Sequence, residues 1–257
     1  MESRRLDFSG ASGAKLSARL DLPAGKVRAY ALFAHCFTCS KDLGATRRIA
    51  GALAAEGIAV LRFDFTGLGS SEGEFASTNF SSNIADLVAA ADMLRERFEA
   101  PSLLIGHSLG GAAALVAGSR IPEIKAVVTI GAPADAGHVV ENFAADLGVI
   151  REKGAAEVSL AGRKFTITSQ FLDDLERSSI KEAVAGLKRP LLIFHAPLDQ
   201  TVGIENASAI FTAAKHPKSF ISLDDADHLL TRAMDADFVA QTISAWSQRY
   251  LPEEAIA

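Results

Sequence analysis

Gly106-His107-Ser108-Leu109-Gly110 is the stretch of this 257-residue sequence best equipped for chemistry. Its serine has a glycine two positions away on either side, between the apolar run Leu103-Leu104-Ile105 and the helical pattern Ala112 to Gly118. That arrangement fits a sharp strand-turn-helix that lifts a nucleophilic hydroxyl above a sheet. The glycines let the strand and helix backbones approach closely. The helix opening there aims free N–H groups and its positive dipole end at charge developing on a substrate. A glycine turn without chemistry is the competing reading, and the flanking strand and helix patterns disfavour it.

A serine hydroxyl is a weak nucleophile at neutral pH, so a base must accept its proton and a third group must orient that base. Asp199 and His228 each fall just past the end of an apolar strand pattern, in His195-Ala196-Pro197-Leu198-Asp199 and Asp224-Asp225-Ala226-Asp227-His228. Both should therefore reach the sheet edge that Ser108 occupies. Asp199 is preferred as the acid over Asp224, Asp225 and Asp227, since it can approach His228 from the neighbouring strand end. Among the other histidines, His216 belongs at the opposite edge, His138 falls in a connecting segment, and His107 is expected to point away from the site. His195 is the remaining rival base, with a role in packing or hydrogen bonding beneath Asp199 as its better reading.

The oxyanion that forms on a carbonyl substrate needs two backbone donors. One is the N–H of Leu109, directly after the nucleophile. The second is expected from Phe37, in the loop His35-Cys36-Phe37-Thr38-Cys39, with His35 shaping that loop and contributing to substrate binding. Cys36-x-x-Cys39 has the spacing of a redox pair, though two small thiols without redox function are the plainer reading. Zinc is disfavoured because no matching Cys or His pair has ligand spacing. Asp64-Phe65-Thr66-Gly67-Leu68-Gly69-Ser70-Ser71 lacks the Gly-Lys-Ser/Thr of a phosphate loop and reads as a turn in which Asp64 accepts from backbone amides. The predicted chemistry calls for no metal and no cofactor.

These groups must be carried by a doubly wound architecture. Short apolar runs at Ala29 to His35, Ile58 to Phe63, Ser102 to Gly106, Ile124 to Ile130, Leu191 to His195 and Ser219 to Leu223 read as strands covered on both faces. An antiparallel start is predicted over Arg5 to Phe8 and Leu16 to Leu22. Helical patterns lie between, at Asp42 to Glu56, Ser82 to Phe98, Ser108 to Ser119, Ile204 to Lys215 and Leu229 to Tyr250. The fold class is therefore α/β, a mainly parallel sheet with helices on both faces.

One connection, about 134–189, shows no buried-strand pattern. It contains a hairpin-like stretch, Glu157 to Ile167 around Ala161-Gly162, and a helical one, Ser169 to Glu176. We read the chain as one domain with this segment as an inserted cap. Phe143, Leu147, Phe165 and Phe171 are its candidates for an apolar acyl pocket, or else for a small core of the cap itself.

Composition narrows the partners. Hydrophobic residues make up 49% and charged residues 22%, as in an ordinary globular enzyme. A net charge of -5 without a basic run gives no footing for nucleic acid or an anionic membrane. No apolar signal segment or membrane span is legible, and the expected location is the cytoplasm. A small-molecule acyl substrate is the expected partner.

The serine motif, the order Ser108, Asp199, His228, and Asp64-x-x-Gly67-x-Gly69-x-Ser71 together resemble the α/β-hydrolase superfamily over nearly the whole chain. Many members carry His-Gly where His35-Cys36 stands. The stretches His35-Cys36-Phe37-Thr38-Cys39, Arg62-Phe63-Asp64-Phe65-Thr66-Gly67-Leu68-Gly69, Thr78-Asn79-Phe80-Ser81-Ser82-Asn83 and His216-Pro217-Lys218-Ser219-Phe220 resemble bacterial hydrolases often fused to an OsmC-like, peroxide-reducing domain, a subgroup in which Cys36 is usual. The resemblance implies hydrolase activity without naming a substrate; from the serine constellation itself we expect a serine hydrolase of small carboxylic esters acting through an acyl-enzyme. A thioesterase, amidase or peptidase with the same three residues stays open, as does a redox-responsive non-catalytic partner of an OsmC-like protein. An OsmC-like domain or protein and a second copy of the chain are further candidate partners; the OsmC-like part is expected to be absent from this chain.

Overall fold

The computed structural model describes residues 2–160 and 162–251. Its strands are β1 (Glu2–Ser9), β2 (Lys15–Leu22), β3 (Ala29–Ala34), β4 (Ile58–Phe63), β5 (Leu103–His107), β6 (Ala126–Ile130), β7 (Ala155–Leu160), β8 (Arg163–Thr168), β9 (Leu191–His195) and β10 (Lys218–Ser222). Its α-helices are α1 (Gly44–Ala55), α2 (Phe80–Arg97), α3 (Leu109–Ala117), α4 (Leu147–Lys153), α5 (Ser169–Arg177), α6 (Ile180–Gly186), α7 (Glu205–Ala213) and α8 (Ala233–Ser247).

Among these residues eight strands form one sheet in the order β1-β2-β4-β3-β5-β6-β9-β10. The antiparallel start is present: β2 pairs antiparallel with both β1 and β4. Every later pairing in that sheet is parallel. This is the mainly parallel sheet flanked by helices that the alternating patterns predict.

Side-chain alternation along the strands splits the core in two. Leu32, Leu61 and Leu104 share one apolar cluster with Leu87 of α2 and Ala113 of α3, whereas Phe33, Val60 and Ile105 join a second with Leu53 of α1 and Val239 of α8. Each face of the sheet is thus sealed by its own helices. Burying one such large side chain contributes about 1.5–3 kcal/mol.

Helix boundaries shift for local reasons. α1 starts at Gly44 rather than Asp42, and the Asp42 carboxylate accepts from Arg62 Nη1 at 2.7 Å instead of continuing a helical turn. α2 begins where Asn79 and Ser82 form a reciprocal capping box. α8 starts at Ala233, not Leu229. The residues before it, Asp227 to Thr231, form a separate turn in which Thr231 N–H donates to Asp227 Oδ1 at 3.0 Å.

Between β6 and β9 the chain builds a 3₁₀ segment (Ala136–Asp146), α4, the β7/β8 hairpin, α5 and α6. The hairpin pairs Ala155 with Thr168 and Leu160 with Arg163. Its expected turn is Ala161-Gly162, of which Ala161 lies outside the described residues. The sequence patterns single out the hairpin and α5 but not the 3₁₀ segment, α4 or α6. A run with about three residues per turn gives no 3.6-residue apolar period to read.

Candidate active site

Ser108 stands between β5 and α3 with φ 55° and ψ −127°. A non-glycine residue in this region carries strain of about 1–3 kcal/mol and persists only where its surroundings enforce it. They do so here through Ser108 N–H donating to Ile130 O at 2.9 Å and Ser108 O accepting from Gly111 N–H at 2.8 Å. The flanking glycines are steric requirements. A Cβ on Gly110 would lie 2.3 Å from His35 O, and one on Gly106 would lie 2.3 Å from Gly110 O.

Asp199, past the end of β9, and His228, past the end of β10, meet: His228 Nδ1 lies 2.7 Å from Asp199 Oδ2. The other Asp199 oxygen accepts from Thr201 N–H at 2.8 Å and Val202 N–H at 2.9 Å. Burial pushes the Asp199 carboxyl up, but the His228 hydrogen bond and these amides outweigh it and hold it below its ordinary value. An ionised carboxylate on Nδ1 leaves Nε2 as the nitrogen able to accept a proton. The neighbouring acids are engaged elsewhere, Asp225 with Arg232 at 2.7 Å and Asp227 with Thr231.

Ser108 and His228 line one cavity of about 220 Å³. Among the described residues the Ser108 hydroxyl makes no hydrogen bond to His228; catalytic contacts are often looser before substrate arrives. Phe37 and Leu109 line the same cavity. Neither of their N–H groups donates to a protein acceptor among the described residues, so both are free to serve an oxyanion.

The loop carrying Phe37 is held from several sides. Cys36 and Cys39 are joined as a disulfide with Cα atoms 5.3 Å apart, rather than standing as separate thiols. Thr38 between them has φ 66°, and its carbonyl accepts from Arg163 Nη2 of the β7/β8 hairpin at 2.9 Å. Phe37 stacks on Phe171 and on Phe75, at centroid separations of 5.8 and 5.7 Å.

Five expected substrate contacts, His35, Phe143, Leu147, Phe165 and Phe171, are not in the cavity wall. His35 is 1% exposed; its Nδ1–H donates to Cys36 O at 2.7 Å, so it shapes the loop from behind and does not touch the cavity. Phe143, Phe165 and Phe171 are buried in the main apolar core. Leu147 lines a separate space of about 880 Å³ beside Leu172, Leu175 and Ile180. The wall comes instead from Pro133 after β6, His138, Val139 and Asn142 of the 3₁₀ segment, Leu160 of β7, Thr201 and Val202 after Asp199, and Leu229. Adjacency to Asp199 and His228 could have pointed to Thr201, Val202 and Leu229; no sequence signal marks the rest.

Two further histidines sit against Asp199 and His228. His195 Nε2–H donates to Val202 O at 2.7 Å, bracing the loop whose amides hold Asp199. His107 does not point away as expected: its Nε2 lies 2.7 Å from His228 O. The Asp64 turn does act as anticipated, accepting from the amides of Lys41 at 2.6 Å and Ser70 at 2.9 Å. Among the described residues no group of three or more His, Cys, Asp or Glu could hold a metal ion, and no helix is long and apolar enough to cross a membrane.

Comparison with known proteins places this geometry in context. Residues 25–152 match the family described as serine aminopeptidase, S33. The solved esterase domain of a Rhodothermus marinus protein is 50% identical, with a TM-score of 0.79, over 97% of this chain and 99% of that one. Est1E of Butyrivibrio proteoclasticus, solved with ferulic acid bound, shares the fold at 20% identity and a TM-score of 0.77, over 95% of this chain and 98% of that one. The mitochondrial palmitoyl-protein thioesterase ABHD10 of Mus musculus is 27% identical over 195 residues, or 73% of this chain. The chain spans 64% of that relative's length.

Proposed function

The chain belongs to the α/β-hydrolase superfamily and is a hydrolase, and from that membership we propose that it is a serine esterase of small, uncharged carboxylic esters with short acyl groups. His228 removes the proton of Ser108, the hydroxyl oxygen attacks the ester carbonyl, and the N–H groups of Phe37 and Leu109 hold the oxyanion. His228 then protonates the departing alcohol, and water repeats the cycle on the acyl-enzyme. The observation that carries this reading is the 2.7 Å His228–Asp199 hydrogen bond at a cavity that Ser108 also lines.

The cavity supports the substrate class. At about 220 Å³ it is smaller than the roughly 300–1,000 Å³ of drug-sized ligand pockets. A short acyl group fits; a sixteen-carbon chain would have to extend outside. No Asp, Glu, Lys or Arg is among its lining residues, which favours neutral esters over a peptide with a free ammonium terminus.

A short-chain thioester is the second reading, favoured by the likeness to a thioesterase; the same serine, base and oxyanion donors would serve it.

The test is hydrolysis of p-nitrophenyl acetate, butyrate, octanoate and palmitate and of acetyl and butyryl thioesters, with fluorophosphonate labelling of wild type and Ser108→Ala. Acetate and butyrate should be turned over fastest, with labelling confined to wild type. Undiminished turnover by Ser108→Ala would overturn the mechanism, and faster cleavage of palmitate than of butyrate would overturn the substrate class.

A further inference from the structure

The mechanism above uses one histidine, yet a second is built into the same place. His107 ends β5, immediately before the nucleophile, and is 3% exposed. Its ring packs against that of His228, with centroids 5.1 Å apart and planes inclined by 38°. Its Nε2 lies 2.7 Å from the carbonyl oxygen of His228. A carbonyl only accepts, so Nε2 carries the hydrogen and the tautomer is fixed.

The turn that presents His228 needs such a hold. It contains two non-glycine residues in the left-handed region, Asp224 at φ 42° and Leu230 at φ 50°. Backbone of this kind keeps its shape only where other contacts over-determine it. Its backbone–backbone bonds are Ala226 N–H to Leu223 O at 2.8 Å and Leu230 N–H to Asp227 O at 3.1 Å; Thr231 N–H to Asp227 Oδ1 at 3.0 Å and the Arg232–Asp225 pair at 2.7 Å brace its far side, and none of these bonds holds the backbone of His228 itself. Asp199 restrains the imidazole, but a ring tied at one nitrogen can still pivot with its main chain. The His107 bond fixes that main chain directly to the strand that leads into Ser108, so base and nucleophile share one rigid support.

We propose that His107 is a positioning residue for His228, holding the base's carbonyl and ring in register with the Ser108 hydroxyl. The inference rests on the esterase reading given above.

Charge is consistent with this role. The titratable groups facing His107 are His228, Asp199 and His35. Burial, followed by the nearness of His228, pushes the His107 imidazole down to about 3. The ring therefore stays neutral when His228 takes the serine proton, and places no positive charge against the imidazolium.

The test compares steady-state kinetics of the full chain on p-nitrophenyl butyrate for wild type, His107→Leu and His107→Gln. Leucine fills much of the space without a donor; glutamine keeps a side-chain N–H able to reach the carbonyl. A misplaced catalytic group costs up to about a hundredfold. We expect kcat of His107→Leu to fall about 10- to 100-fold with KM within about twofold, and His107→Gln to recover to within about threefold of wild type. A downfield proton NMR signal from the Nδ1–H of His228, present in wild type and His107→Gln, should broaden or vanish in His107→Leu. Should His107→Leu not fold, His107→Asn, whose amide is too short to reach, replaces it with the same expectation. Wild-type kcat in the donor-less variant, or equal loss in it and His107→Gln, overturns the role of His107. Ser108→Ala run alongside separates the two levels: its inactivity leaves the esterase reading standing whatever His107 does, and its undiminished turnover removes that reading.

Discussion

Gly131 lies directly behind His228: a Cβ added to it would sit 3.3 Å from His228 Nδ1 and, equally, 3.3 Å from Asp199 Oδ2. Gly131 itself has φ +55°, so a side chain there meets both backbone strain and the Asp199–His228 pair. The neighbours would have to give by a few tenths of an ångström, at the hydrogen bond on which His228's orientation depends. Gly131→Ala is expected to lower kcat by about tenfold. The left-handed φ adds about 1–2 kcal/mol of destabilisation, or a Tm lower by about 2–8 °C. Steady-state kinetics and a thermal melt check both. Unchanged kcat alongside the lowered Tm would show that the pair tolerates displacement.

Acyl-chain selectivity should follow the cavity wall. Leu160 of β7 and Val139 of the 3₁₀ segment line it and are each 5% exposed. Leu160→Ala removes about three methylene-sized groups from a space of about 220 Å³. The ratio of octanoate to butyrate kcat/KM is expected to rise about three- to tenfold. An unchanged ratio in a folded variant would mean that the acyl group lies elsewhere.

The serine elbow was legible in the sequence because its constraint is local. Gly106, Ser108 and Gly110 answer to a strand-turn-helix whose parts are contiguous, and Asp199 and His228 answer to the ends of readable strands. The wall was not legible. His138, Val139 and Asn142 enter the cavity from a 3₁₀ run that shows no apolar period, and Leu147 belongs to a helix whose apolar face closes a different space. Which way such a segment turns is decided by its packing on the body, as in the stacking of Phe165 on Phe75 and of Phe171 on Phe37. The expectation that His107 points away failed for a related reason. Strand alternation sends neighbours to opposite faces, but the left-handed φ of Ser108 breaks that alternation at the rim where both side chains are used.

The Cys36–Cys39 disulfide spans Phe37 and Thr38, which both line the cavity, and Phe37 brings it a free N–H. Opening it should loosen that donor without releasing it, since Arg163 still binds Thr38 O and Phe171 still stacks on Phe37. Losing one oxyanion donor outright costs about 10²–10³ in kcat, and partial misplacement should cost about 3- to 10-fold. Cys39→Ser, assayed without reductant, is expected to show that smaller loss, and wild type preincubated with dithiothreitol should fall to the same level. Full activity in both would assign the disulfide no part in positioning Phe37.

Acid should weaken the fold through its buried imidazoles. Burial, followed by His228, lowers His107 to about 3, and burial likewise lowers His35. In the unfolded chain each takes up a proton near pH 6.5. Below that pH the unfolded state binds more protons than the native one, so stability falls as pH falls. The slope is about 1.4 kcal/mol per pH unit for each such histidine, and for His107 the loss continues until pH approaches its native value. The lowered Asp199 acts in a different window. Its contribution is complete above the unfolded carboxylate value of about 3.9 and is lost as pH drops through the native value below it. Between about pH 6 and 4.5 the histidines therefore dominate these contributions. Urea unfolding across that range should give a stability slope that is shallower by about one proton in His107→Gln than in wild type. Parallel slopes for the two proteins would mean that His107 is already protonated in the native state, and that its ring does not reach His228 as a neutral group.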